Sequence, residues 1–152
     1  MLSDFFRPPP HTARVSIGLL VLRVVLGVIF VQYGLQKIHA PMSWAGAAQP
    51  AAVQIFACVA ELGGGLLLIV GALTPLAAAL IVIDMIGAMV ASVIPRAGGF
   101  YWIASGSGTI TVEKNVIYGI CALVLLFTGP GMYSIDELIA RREHTSSLPP
   151  RR

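Results

Sequence analysis

Charge is what this sequence has least of. Asp, Glu, Lys and Arg make up 11% of its 152 residues, against about 25% in an ordinary soluble domain, which argues against a solvated globular fold. Cysteine is nearly missing as well. Cys58 and Cys121 are the two present, and they form no Cys-x-x-Cys pair, so neither a disulfide framework nor a local dithiol centre is indicated. Both read as small buried apolar side chains. The three histidines, His11, His39 and His144, lack metal-ligand spacing, so no haem, zinc or other metal site is expected. No glycine-rich phosphate or dinucleotide motif occurs, since Gly63-Gly64-Gly65 lies inside an apolar run and reads as close helix packing. Nor is there a basic patch interleaved with aromatics, which speaks against nucleic-acid binding.

Apolar sequence fills the space that charge leaves. The chain is 57% hydrophobic with a mean hydropathy of +0.84, and its length suits one small bundle without a separate soluble catalytic domain. About 20 mainly apolar residues cross a bilayer, and four stretches qualify or nearly so: 15–38, 51–73, 75–94 and a shorter 110–127. The first is too long for a signal-peptide core, is interrupted by Arg23 and lacks a clear small-x-small cleavage site, so it reads as a retained helix. The proline-rich segment before it cannot form regular helix, and residues 1–14 read as a flexible tail. Thr74-Pro75 breaks the second run from the third, Gly129-Pro130-Gly131 ends the fourth, and 135–152 is a charged tail. The expectation is an all-α, integral membrane four-helix bundle spanning 15–134. Lys and Arg collect at the two ends of the chain, which predicts cytoplasmic N and C termini.

The few charges inside these runs are the candidate functional residues. Arg23, Gly27, Phe30, Gly34 and Lys37 advance by four, three, four and three residues and so share one helical face. Lys37 lies roughly 21 Å beyond Arg23 along the first helix. With alternate helices running in opposite directions, Lys37, Glu61 and Glu113 fall at a similar depth and are expected to form one cluster. Arg23 is then left with Asp84 as its buried partner, since an unpaired buried charge is costly. Gln54, Cys58, Glu61, Gly65 and Leu68 form a second inward face, and Ala77, Asp84, Ala88 and Ala91 a third.

Three segments carry a family resemblance. The run R-V-V-L-G-V-I-F-V-Q-Y-G-L-Q-K from Arg23 to Lys37 resembles the R-x-x-x-G-x-x-F-x-x-H-G-x-Q-K pattern of DoxX membrane proteins. E-L-G-G-G-L-L-L-I-V-G from Glu61 is similar to that family's E-x-x-G-G-x-x-L-x-x-G. The finish, beginning E-K-N-V-I-Y-G at Glu113 and closing G-P-G-M-Y-S-I-D at Asp136, is similar to its E-x-x-x…G-P-G-x-x-S-x-D. Tyr33 departs from the pattern, standing where the family has His, so no imidazole role is carried over. The resemblance implies a multi-pass protein of the bacterial cytoplasmic membrane, tied to redox work and to thiol or oxidative-stress handling.

Lys37, Glu61 and Glu113 have the chemistry to hydrogen-bond a quinone carbonyl and exchange its proton; a structural ion-pair network is the plainer alternative. Three function classes stay open. The leading one is a redox membrane subunit, an oxidoreductase component with quinone as ligand and no covalently bound cofactor. The second is a non-catalytic scaffold or assembly factor for soluble or membrane oxidoreductase partners, and the third a small transporter. The lipid bilayer is the partner common to all, and a homo-oligomer is compatible with each.

Overall fold

A computed structural model describes residues 12–46, 49–93 and 113–146. Its elements are α1 (Ala13–Lys37), α2 (Ala51–Val70), α3 (Thr74–Ala88) with a π-helical turn Met89–Val93, α4 (Glu113–Thr128) and α5 (Ile135–Ser146). Among the described residues every regular element is helical. α1 packs along α2, α2 along α3 and α3 along α4, while α4 touches α1 more lightly. The helices therefore alternate in direction. Ser16 near the start of α1 receives a hydrogen bond from the Met132 amide just after α4, so the α1 entry and the α4 exit share one end of the bundle.

Three segments are long and apolar enough to cross a membrane: Ala13–Lys37, Ala51–Val70 and Thr74–Ala91. The described part of α4 has 16 residues, about 24 Å at 1.5 Å per residue. Residues 110–112, expected to begin that span, lie outside the described set, as do the aromatics 100–102. Large apolar side chains such as Val25, Val59, Leu66, Ile83, Ile120 and Phe127 point outward. In water such a belt would be costly, but hydrocarbon is its natural solvent.

Glycine decides how closely the first two helices approach. A Cβ on Gly27 would stand 2.7 Å from the Gly65 carbonyl oxygen, one on Gly65 2.8 Å from Gly27 O, and one on Gly34 2.6 Å from the Leu62 backbone nitrogen. These are backbone-to-backbone contacts that no side chain could relax. Lipid offers helices little hydrophobic drive to associate, so close packing of this kind carries the association. Leu26, Phe30, Leu68, Ile81, Met85 and Leu125 fill the adjoining core.

α2 ends at Val70, three residues before the expected boundary, because Gly71 adopts the left-handed conformation (φ 70°) and its amide donates back to Leu67 O. Pro75 occupies the first turn of α3, where its missing N–H costs nothing. The segment after α4 is helical rather than only a charged tail. Ser134 opens α5, its Oγ accepting from the Glu137 amide at 3.1 Å, in the Ser-x-x-Glu spacing that starts helices.

Candidate functional site

Polar side chains collect at the two ends of the bundle and form separate constructions. At the end holding the α4 exit, Arg23 is 1% exposed. Its Nη1 donates to Pro130 O and its Nη2 to Tyr133 O, both at 2.6 Å. The guanidinium packs against Gly71, where a Cβ would come within 2.7 Å of Arg23 Cζ. Asp136 closes the arrangement. Its amide donates to Gly71 O at 3.0 Å, and its carboxylate accepts from the Leu73 amide at 2.7 Å and the Thr74 amide at 2.9 Å. That carboxylate also lies within electrostatic range of Arg23. Leu73 stands at the N-cap of α3 with φ 48° and offers no capping oxygen, so a residue 63 positions away supplies the cap. Ser134 Oγ donates to Gly131 O at 2.8 Å and shapes the same loop. The Gly-Pro-Gly-x-x-Ser-x-Asp finish is thus a collar around one buried arginine.

The expected Arg23–Asp84 pair is not formed. Arg23 sits level with the turn joining α2 to α3, whereas Asp84 lies ten residues into α3, roughly 15 Å along its axis. Arginine presents several donors, and loop carbonyls satisfy two of them without a carboxylate.

Asp84 belongs instead to the other end. There Lys37 Nζ donates to Glu61 Oε1 at 2.5 Å, with the Glu61 side chain 4% and the Lys37 side chain 16% exposed. Asp84, also buried, brings its carboxyl within hydrogen-bonding reach of Glu61 and electrostatic range of Lys37. Glu61 Oε2 and Asp84 Oδ2 are both buried without a hydrogen-bond donor among the described residues. The sequence does contain the signal for this meeting. Glu61 precedes Gly71 by ten residues and Asp84 follows Thr74 by ten, so antiparallel helices hinged on that tight turn place the two acids side by side.

Lys37 and Glu61 meet as expected, but Glu113 does not join them. It is half-buried at the start of α4 and makes no hydrogen bond or ion pair among the described residues. Asn115 is the polar side chain that α4 buries, alongside Ala122 and Leu125. Two residues on a helix point about 200° apart, so burying Asn115 turns Glu113 away. Asn115 Nδ2 lies 3.9 Å from Met85 Sδ, and its Oδ1 has no partner among the described residues.

Aromatic rings flank this end. Phe30 packs edge-on with Tyr33 and Tyr118, which tilt against each other, all three centroids 5.8–6.4 Å apart, and Lys114 Nζ lies 5.4 Å from the Tyr33 ring centre. Tyr33 thus fills the departure from the family pattern as a packing and cation-binding ring. Lys37 Nζ sits 4.1 Å from the Trp44 ring centre. Trp44 is held by Gln54, whose backbone oxygen accepts the indole N–H at 3.2 Å. The Gln54 side-chain oxygen accepts from the Ala45 amide, and its nitrogen donates to Gly46 O and Gln49 O. This buried amide staples the α1–α2 loop over Lys37. Sequence reading placed Gln54 on the inward face without that role and did not single out Asn115. A polar amide at the first turn of an apolar helix was the available signal.

Helices with an outward apolar belt, inward glycines and buried charges define a small multi-pass membrane protein. The DoxX family pattern matches residues 18–93, and the chain belongs to that family. It is 28% identical over 135 residues to the uncharacterized membrane protein Rv3486 of Mycobacterium tuberculosis, covering 82% of this chain and 83% of the relative. It is 30% identical over 129 residues to the inner membrane protein YphA of Escherichia coli, covering 78% and 88%. No solved structure matches significantly. The protein is accordingly a multi-pass protein of the bacterial inner membrane.

Proposed function

We propose that this DoxX-family protein is the membrane subunit of a redox system for thiol or oxidative-stress handling, in which Lys37, Glu61 and Asp84 bind the headgroup of a quinone. One observation supports the reading. A half-buried ammonium and two buried carboxyls meet among lipid-facing helices, with Glu61 Oε2 and Asp84 Oδ2 left without donors among the described residues. A quinone carbonyl accepts from Lys37 Nζ, and a hydroquinone hydroxyl donates to a free carboxylate oxygen. Interconverting the two forms moves two electrons and two protons. The carboxyls exchange the protons, and the electrons pass to or from the redox centre of a partner oxidoreductase. The outward apolar belt gives a lipid-soluble quinone its approach through the bilayer.

Trp44, stacked on Lys37, provides the test. In a Trp102→Phe background it is the sole tryptophan, and a quinone analogue bound at Lys37 should quench its fluorescence. Lys37→Met and Asp84→Asn should each weaken the apparent Kd about tenfold or more, the scale of one charge-assisted hydrogen bond, while Glu113→Gln leaves it unchanged. Unaltered affinity in inserted, folded Lys37→Met protein would reject the site. Absence of saturable quenching in the parent would favour the scaffold reading instead.

A further inference from the structure

Lys37 is one cation set against two acids. The ammonium donates to Glu61 Oε1, and Glu61 Oε2 and Asp84 Oδ2 are buried acceptors with no donor among the described residues. Their carboxyls lie within hydrogen-bonding reach of one another. Two bare carboxylates at that separation in an apolar interior repel strongly, and neither can be solvated. Among the described residues no other charge relieves them. α4 faces α3 with Asn115, which is neutral and directed at Met85. Lys114 lies over Tyr33, and Glu113 makes no ion pair among the described residues. α1 contributes Lys37 alone at this level, since Arg23 is bound at the opposite end by Pro130 and Tyr133.

We infer that Glu61 and Asp84 hold one proton between them in the resting protein, as a carboxylic acid hydrogen-bonded to a carboxylate, so that the bundle contains a built proton-binding site. The charge count supports it: one ammonium plus one shared negative charge is neutral, as an apolar interior requires. The bridge also gives a free oxygen of each acid its missing partner. The proton is the O–H hydrogen of one acid, donated to the facing carboxylate oxygen, and no oxidant or reductant is involved. Lys37, the most exposed member of the group, marks the side from which a proton enters or leaves. The same two acids serve the proposed quinone site, but the proton is held whether or not a quinone ever binds.

Infrared spectroscopy of the full-length protein in lipid nanodiscs, without quinone and at neutral pH, tests this directly. A protonated-carboxyl C=O band is expected, shifting in heavy water and lost in both Asp84→Asn and Glu61→Gln but retained in Glu113→Gln. Because the first two variants risk misfolding, the parent protein is also grown with carboxyl-13C aspartate or glutamate. A band moved by either label and insensitive to Glu113→Gln supports the bridge. A parent spectrum without the band, or a band that survives in Asp84→Asn, overturns it. These outcomes are independent of the fluorescence titration, so the proton site and the quinone site stand or fall separately.

Discussion

Gly65→Ala adds a single methyl where α1 and α2 touch through their backbones. The new Cβ would stand 2.8 Å from both Gly27 O and Val31 N, whereas ordinary contact begins at 3.4 Å. The helices must therefore part by about half an ångström, and because the obstructing atoms are main chain, no rotamer change absorbs the strain. Overpacking of a filled interior costs about 1–3 kcal/mol. Alanine also favours helix over glycine by about 1 kcal/mol, which would mask the effect if Gly65→Ala were measured alone. Gly63 removes the ambiguity. It lies on the same helix with nothing within 4 Å of its would-be Cβ, so Gly63→Ala carries the propensity gain without the clash. Equilibrium unfolding in mixed micelles should place Gly65→Ala about 1–3 kcal/mol below Gly63→Ala. Since Lys37 and Glu61 sit on the two helices being parted, Gly65→Ala should also weaken quinone-analogue affinity. Equal stability of the two variants would refute the claim that these glycines set the helix spacing.

Arg23→Met and Asp84→Asn should each destabilise the protein, yet their effects should add within about 0.5 kcal/mol in the double variant. A larger coupling energy, read from the same unfolding measurement, would restore the direct pair that the structure does not form. Asp136→Ala should cost about 1 kcal/mol, the usual loss of a helix cap. It should also speed hydrogen exchange at the Leu73 and Thr74 amides specifically, and unchanged exchange there would show that the cap comes from elsewhere.

The helices were legible because hydropathy reports lipid exposure directly, and the inward stripe of α1 was legible because Arg23, Gly27, Phe30, Gly34 and Lys37 keep helical spacing. The Lys37–Glu61 contact followed from depth alone. The Arg23–Asp84 pair suggested by opposite charge does not form, because backbone carbonyls satisfy the guanidinium in place of a carboxylate. Pro130 O and Tyr133 O carry no signature of their own in a sequence. The placement of Glu113 erred for a different reason. Its depth was right for the cluster, but the rotation of α4 was unknown until Asn115 was seen to be buried. Residues 94–112, which lead into that helix, lie outside the described set.

The collar around Arg23 has a bearing on how the protein is made. Arg23 lies in α1, and the oxygen that receives its Nη1 belongs to a residue 107 positions later in the chain. At about 5–20 residues per second of synthesis, the arginine waits roughly 5–20 s for that partner to exist. Throughout that interval the nascent helix carries an unsatisfied guanidinium, which an isolated span tolerates by reaching toward the headgroups. α1 therefore settles at its final depth after the turn that follows α4 has emerged, and a chain truncated before Pro130 would leave Arg23 without the two carbonyls that hold it.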